Sequence, residues 1–192
     1  MQALTTRRLA LLTMVSALCL VVQLIPRPPN VEFTSLIVFI VGASWGITFG
    51  GLLATVVMFV NGFLSPYGFA GLLIPFQIAG MVIVGVTGGL YSRAKKSTYS
   101  LSHSMETAVL GAFLTLVYDL ITNLGWVAVE QMLFGVPMLP AFTSAIVFGA
   151  PFSAAHVVWN FWVFLAVFFP LMRALQKLSG GEKIWRENAS LT

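Results

Sequence analysis

The sequence predicts an all-α integral membrane protein with six transmembrane helices and both termini in the cytoplasm. Three observations lead there. Of 192 residues, 58% are hydrophobic and only 8% are charged, whereas a soluble domain carries about 25% charged residues. Apolar stretches near or above the roughly 20 residues of a spanning helix recur along nearly the whole chain. The basic residues lie in short flanks between those stretches, so the net charge of +4 points to orientation in a lipid bilayer and away from a nucleic-acid partner.

The apolar segments are Leu9–Ile25, Phe33–Leu64, Leu72–Tyr91, Thr107–Phe134 and Ser144–Leu171. Arg7 and Arg8 precede the first, as in a signal peptide. At 17 residues, however, it exceeds the usual signal core, and no small-residue cleavage site follows. Leu18 stands where a lipoprotein site at Cys19 needs a small residue, and a lone cysteine excludes a disulfide framework. This segment is therefore the first membrane helix.

The second segment, Phe33–Leu64, is long enough for one tilted helix or for a hairpin turning within "WGITFGG", Trp45 to Gly51. Charge decides between them, because Lys and Arg accumulate on the cytoplasmic side. With the hairpin, Arg7, Arg8, Arg93, Lys95, Lys96, Arg173, Lys177, Lys183 and Arg186 are cytoplasmic and only Arg27 is outside. With a single pass, two basic residues are inside and eight outside. The hairpin is predicted, with two short arms of about 16 residues that need tilt or thinning of the bilayer. Gly42, Gly46 and Gly50, four apart, are read as helix-packing positions.

The outer connections are then Pro26–Glu32, Ser65–Gly71 and Gly135–Thr143, rich in proline, glycine and aromatics. Residues 1–178 form the transmembrane domain and residues 179–192 a polar cytoplasmic tail. The tail holds an "NAS" sequon at Asn188, which its cytoplasmic placement makes irrelevant.

Polar residues inside the apolar runs are the candidates for function. "LTLVYDLITNLGW", Leu114 to Trp126, carries Asp119. A carboxylate at the bilayer centre costs several kcal/mol and turns inward toward partners. Asp119, Asn123, Trp126 and Glu130 share one helical stripe, and Ser153, His156 and Asn160 share a face of the next helix. An antiparallel hairpin pivoting near 139–140 sets Asp119 level with Asn160, and Asn123 level with His156. Two readings stay open. Asp119, His156 and Asn160 are a hydrogen-bonded clasp between helices, or the stripe lines an outward cavity whose wall includes Asn123, Trp126, Glu130, His156 and Asn160. Asn30, Glu32, Phe33, Asn61, Tyr67, Phe69 and Gln77 are further outer-face candidates, an apolar and aromatic set with a few polar groups, as small-molecule sites require.

Several chemistries find no motif. There is no phosphate-binding G-x-x-x-x-G-K-[ST] loop, so the chain hydrolyses no nucleotide itself. No His/Cys spacing marks a metal site. Ser153 and His156, three apart on one helix, make a poor nucleophile and base without an oxyanion hole. An intramembrane hydrolase using Asp119 and His156 is kept as the alternative, beside a structural membrane protein without a ligand.

Four stretches together carry a family resemblance: "PPNVEFTSLIVFIVGASWGITFGGLLA", "GLLIPFQIAGMVIVGVTGGLYSR", "AVLGAFLTLVYDLITNLG" and "APFSAAHVVWNFWVFLAVFFPLMRAL". With the chain's size and six helices, they make it resemble an S component, the substrate-capturing membrane subunit of an energy-coupling factor (ECF) vitamin transporter. The resemblance implies no enzymatic activity and no cofactor in this chain. It implies a multi-pass protein of a prokaryotic cell membrane that binds a vitamin at the outer face. It further implies partners, a transmembrane T subunit and two ATPase subunits that use ATP. The A-x-x-x-A docking motif on the family's first helix has its nearest match in Thr13 and Ala17, with Ala10 one turn earlier. The "PNVE" stretch, Pro29 to Glu32, is similar to members assigned to cobalamin, so a corrinoid is the first expectation. Thiamine or its pyrimidine precursor is the second, held as a cation by Glu32, Asp119 or Glu130.

Overall fold

A computed structural model describes residues 6–95 and 101–178. The tail and its sequon at Asn188 lie outside the described residues. Six helices follow in order: α1 (Thr6–Leu24), α2 (Thr34–Trp45), α3 (Ile47–Leu64), α4 (Ile74–Ala94), α5 (Ser102–Phe134) and α6 (Met138–Leu178). One 3-10 turn, Gly71–Leu73, leads into α4. Helices α3 to α6 are long and apolar enough to cross a membrane, and α1 and α2 are shorter apolar helices. The protein is an all-helical, multi-pass membrane protein.

The long second segment breaks in two, but unequally. Gly46 adopts φ 99, a conformation that side-chain-bearing residues avoid, and its N–H bonds back to Gly42 O at 2.9 Å. This leaves α2 with 12 residues and α3 with 18, instead of two equal arms. At 1.5 Å per residue α2 spans about 18 Å, well short of the hydrocarbon core. It survives because it is enclosed: nine of its 12 residues are buried, so lipid meets little of it. The glycine series divides accordingly. A side chain at Gly42 or Gly50 would collide with Gly85 of α4, so these two permit backbone contact, whereas Gly46 serves the break and has open space around it.

Helices α5 and α6 form a long antiparallel hairpin joined by only Gly135–Pro137, with Gly135 in the left-handed region at φ 64. The predicted outer connection Gly135–Thr143 is thus mostly helix. Pro140 falls in the first turn of α6, where a missing N–H costs no helical hydrogen bond. With 33 and 41 residues, α5 and α6 span about 50 and 60 Å, so they overreach the bilayer core or cross it tilted. The core lies where α2, α3 and α4 meet the C-terminal half of α6, around Phe39, Leu53, Val57, Phe164 and Phe168.

Candidate functional site

The α1–α2 connection is rigid. Pro26, Pro28 and Pro29 fix its backbone, Val31 N–H bonds Pro28 O at 3.2 Å, and Asn30 takes a left-handed φ of 63, which asparagine tolerates better than most residues. The Asn30 amide donates to Phe152 O of α6 at 2.8 Å. The connection is therefore pinned onto the far hairpin before it enters α2.

Glu32 is the hub of the site. Its Oε1 accepts from the Asn160 amide at 2.8 Å and lies 3.4 Å from His156 Nε2, and its Oε2 accepts from Ser35 N–H at 2.9 Å. The Trp159 indole donates to its backbone oxygen at 2.7 Å. Burial by itself raises the carboxyl, but the bond and charge of His156, with the bonds from Ser35 and Asn160, outweigh it and hold Glu32 at about 2. The carboxylate is thus ionised at neutral pH. On the other side of the ring, His156 Nδ1 lies 2.8 Å from Asp119 Oδ1. Each ring nitrogen of His156 thus faces one carboxylate oxygen, Nδ1 toward Asp119 and Nε2 toward Glu32. Three segments far apart in sequence meet at this one ring.

A cavity of about 380 Å³ opens beside this hub. Its wall is formed by the α1–α2 and α3–α4 connections, the ends of α1 and α3, the starts of α2 and α4, the middle of α5 and His156 of α6. Four amide side chains, Gln23, Asn30, Asn61 and Gln77, face it with Arg27, Glu32 and His156. Met58, Met81, Tyr118, Trp126 and Phe69 provide apolar and aromatic surface. The Asn61 Oδ1 and Gln77 Oε1 atoms are buried without a hydrogen-bond partner. Arg27 turns its guanidinium back onto the end of α1, where Nη1 donates to the Val22, Gln23 and Ile25 carbonyls. The Tyr67 hydroxyl donates to Arg27 O and so straps the α3–α4 connection over the α1–α2 connection.

Of the residues singled out by sequence, Asn30, Glu32, Asn61, Tyr67, Phe69, Gln77, Trp126 and His156 line this cavity. Four others sit elsewhere. Phe33 packs edge-on against Trp159 at 5.7 Å. Asn123 faces a separate groove between α5 and α6. Glu130 accepts from Ser144 Oγ at 3.3 Å near the hairpin tip. Asn160 is fully buried behind Glu32 and positions it. The predicted register also shifts. Asp119 pairs with His156 rather than Asn160, one helical turn from expectation, because α6 begins at Met138 and the connection is short. Asn160 instead serves Glu32, so the clasp runs through the α1–α2 connection and not only between α5 and α6.

Sequence reasoning passed over Gln23, Thr34 and Tyr118, and used Arg27 only for topology. Gln23 carried a signal, since it continues the Ser16–Cys19 face of α1 by one turn, and it accepts from Thr34 Oγ1 at 2.7 Å. Tyr118 sets its ring edge-on to His156, 6.0 Å between centroids, where Gly80 lets α4 approach. Ala10, Thr13 and Ala17 lie on an exposed face of α1, with the Thr13 hydroxyl bonded to Leu9 O at 3.0 Å.

The family model described as "ECF transporter, substrate-specific component" matches residues 7–172. Neither the curated proteins nor the solved structures contain a match to the chain. The match reaches into all six helices and takes in the whole cavity, and the chain belongs to the substrate-specific (S) components of ECF transporters, which bind a small-molecule substrate and work with a T subunit and ATPase partners.

Proposed function

We propose that this S component captures an aminated heteroaromatic vitamin, thiamine or its pyrimidine precursor, in the cavity beside Glu32. The unpartnered oxygens of Asn61 and Gln77 carry this reading. A buried acceptor left unpaired costs about 1–3 kcal/mol, and a ligand N–H removes that cost. Four amides, each able to donate and accept, match the mixed edge of an aminopyrimidine, and Tyr118, Trp126 and Phe69 offer ring surface. The volume agrees, since 380 Å³ is near the low end of small-molecule sites, about 300–1,000 Å³.

A corrinoid is the second reading, favoured because the "PNVE" stretch itself supplies Asn30 and Glu32 to the wall. A ligand that large needs the Tyr67–Arg27 strap open, which ranks it behind the smaller heterocycle. Either ligand is bound without chemistry, as the chain is a transporter subunit and not an enzyme.

The rest of the account follows from charge and exposure. With the basic flanks inside, both termini are cytoplasmic and the cavity opens to the outside of a prokaryotic cell membrane. The small, exposed face at Ala10, Thr13 and Ala17 serves as the docking surface for the T subunit. The chain carries no cofactor, and ATP is used by its partners. Titrating the purified chain with single vitamins by calorimetry tests the proposal. Thiamine or its pyrimidine is expected to saturate one site, and saturation by a corrinoid alone would favour the second reading.

A further inference from the structure

Behind the clasp, α5 and α6 enclose a second cavity of about 490 Å³ that shares no lining residue with the first. Its rim, Leu116, Leu120, Ile146 and Val158, is exposed on the flank of the long hairpin, the surface a bilayer covers. The walls are apolar apart from Asp119, Asn123 and Ser153. Asp119 is only 7% exposed, and while its Oδ1 faces His156, its Oδ2 is buried without a partner.

An unpaired carboxylate oxygen at membrane depth is costly and calls for a donor. A water molecule supplies a donor and a lipid chain covers the leucine, isoleucine and valine walls, but only as two separate molecules. A molecule with an apolar body and a donating head covers both. We propose that this groove binds a membrane amphiphile carrying a single hydroxyl head, which donates to Asp119 Oδ2 while its apolar body lies along α5 and α6. The Asn123 amide, on the same wall, is able to donate to the hydroxyl oxygen. The site is distinct from the vitamin cavity and does not depend on which vitamin is captured. The two are nonetheless linked, since Asp119, His156 and Glu32 form one hydrogen-bonded chain from groove to cavity.

The test uses the full chain in phospholipid nanodiscs, photolabelled with a diazirine-bearing dodecanol and mapped by peptide mass spectrometry. Label is expected to concentrate within Leu116–Asn123 and Ala150–Val158 and to be displaced by excess dodecanol but not by dodecane. Filling the groove with Ala154→Phe, or independently Ala150→Phe, is expected to lower this labelling about fivefold or more. Labelling spread evenly over lipid-facing positions, equal competition by the alkane, or no labelling of the groove overturns the proposal, the last leaving water as its occupant. If neither variant folds, the alcohol-against-alkane competition on the unmodified chain decides alone.

Discussion

His156 of α6 lies 2.8 Å from Asp119 of α5 and 3.4 Å from Glu32 of the α1–α2 connection, so one imidazole ring joins two carboxylates. This relationship explains why so apolar a chain keeps a carboxylate at Asp119. Its partner is a ring that in turn holds the wall of the cavity beside Glu32. The Asp119 side chain does not line that cavity, so its role there is exerted through His156.

Asp119→Asn therefore affects stability more than recognition. The variant keeps an acceptor toward Nδ1 but loses the charge that holds the ring, a loss of about 1–3 kcal/mol. Thermal unfolding in detergent is expected to shift down by several degrees, while vitamin affinity changes less than tenfold. A large loss of affinity at unchanged melting temperature would place Asp119 in contact with the ligand.

Glu32→Gln acts on both. It weakens charge-assisted bonds from His156, Asn160 and Ser35 together, and affinity is expected to fall about 10- to 100-fold. Calorimetric titration checks this directly.

The same group fixes a pH dependence. Glu32 is held at about 2, below its ordinary 4.5, so its ionised form stabilises the fold fully above pH 4.5. That contribution fades as pH falls from 4.5 toward 2. The difference in melting temperature between the natural chain and Glu32→Gln is expected to be constant between about pH 5 and 6 and to shrink steadily below 4.5.

Gln77→Leu separates a ligand contact from a structural one. Because Gln77 Oε1 has no hydrogen-bond partner within the protein, removing it leaves the unliganded protein at least as stable. Affinity for the vitamin is expected to drop about tenfold. Equal affinity in the variant would remove Gln77 from the site.

Gly85→Val tests the packing of the short helix. Gly85 receives the backbones of both Gly42 and Gly50, so added methyl groups have nowhere to go. A loss of about 3 kcal/mol or more is expected, read as failure to recover monodisperse protein.

Much of this architecture was legible in the sequence because lipid imposes simple rules. Charge asymmetry alone indicated that Phe33–Leu64 is a hairpin, and the break at Gly46 bears that out. The facing of Asp119 and His156 was visible as two polar stripes at helical spacing. The register was not, because Pro137 and Pro140 read as loop, whereas Pro140 sits in a helix's first turn at no cost. Glu32 as hub was hidden for a different reason. Its partners His156 and Asn160 lie 124 and 128 residues away, and no periodicity connects a coil residue to a helix so distant. Phe33 was placed as one of the outer-face aromatics, but its ring turns to Trp159 instead. Arg27 looked like an exception to the charge rule, yet its side chain closes the end of α1 beside the cavity.

The most direct test is to purify the chain in mild detergent and titrate it with thiamine and its pyrimidine, comparing the natural sequence with Gln77→Leu. The account predicts one saturable site in the natural chain and about tenfold weaker binding in the variant, with the variant's melting temperature undiminished. Absence of binding by any vitamin, or binding that Gln77→Leu leaves untouched, would contradict it.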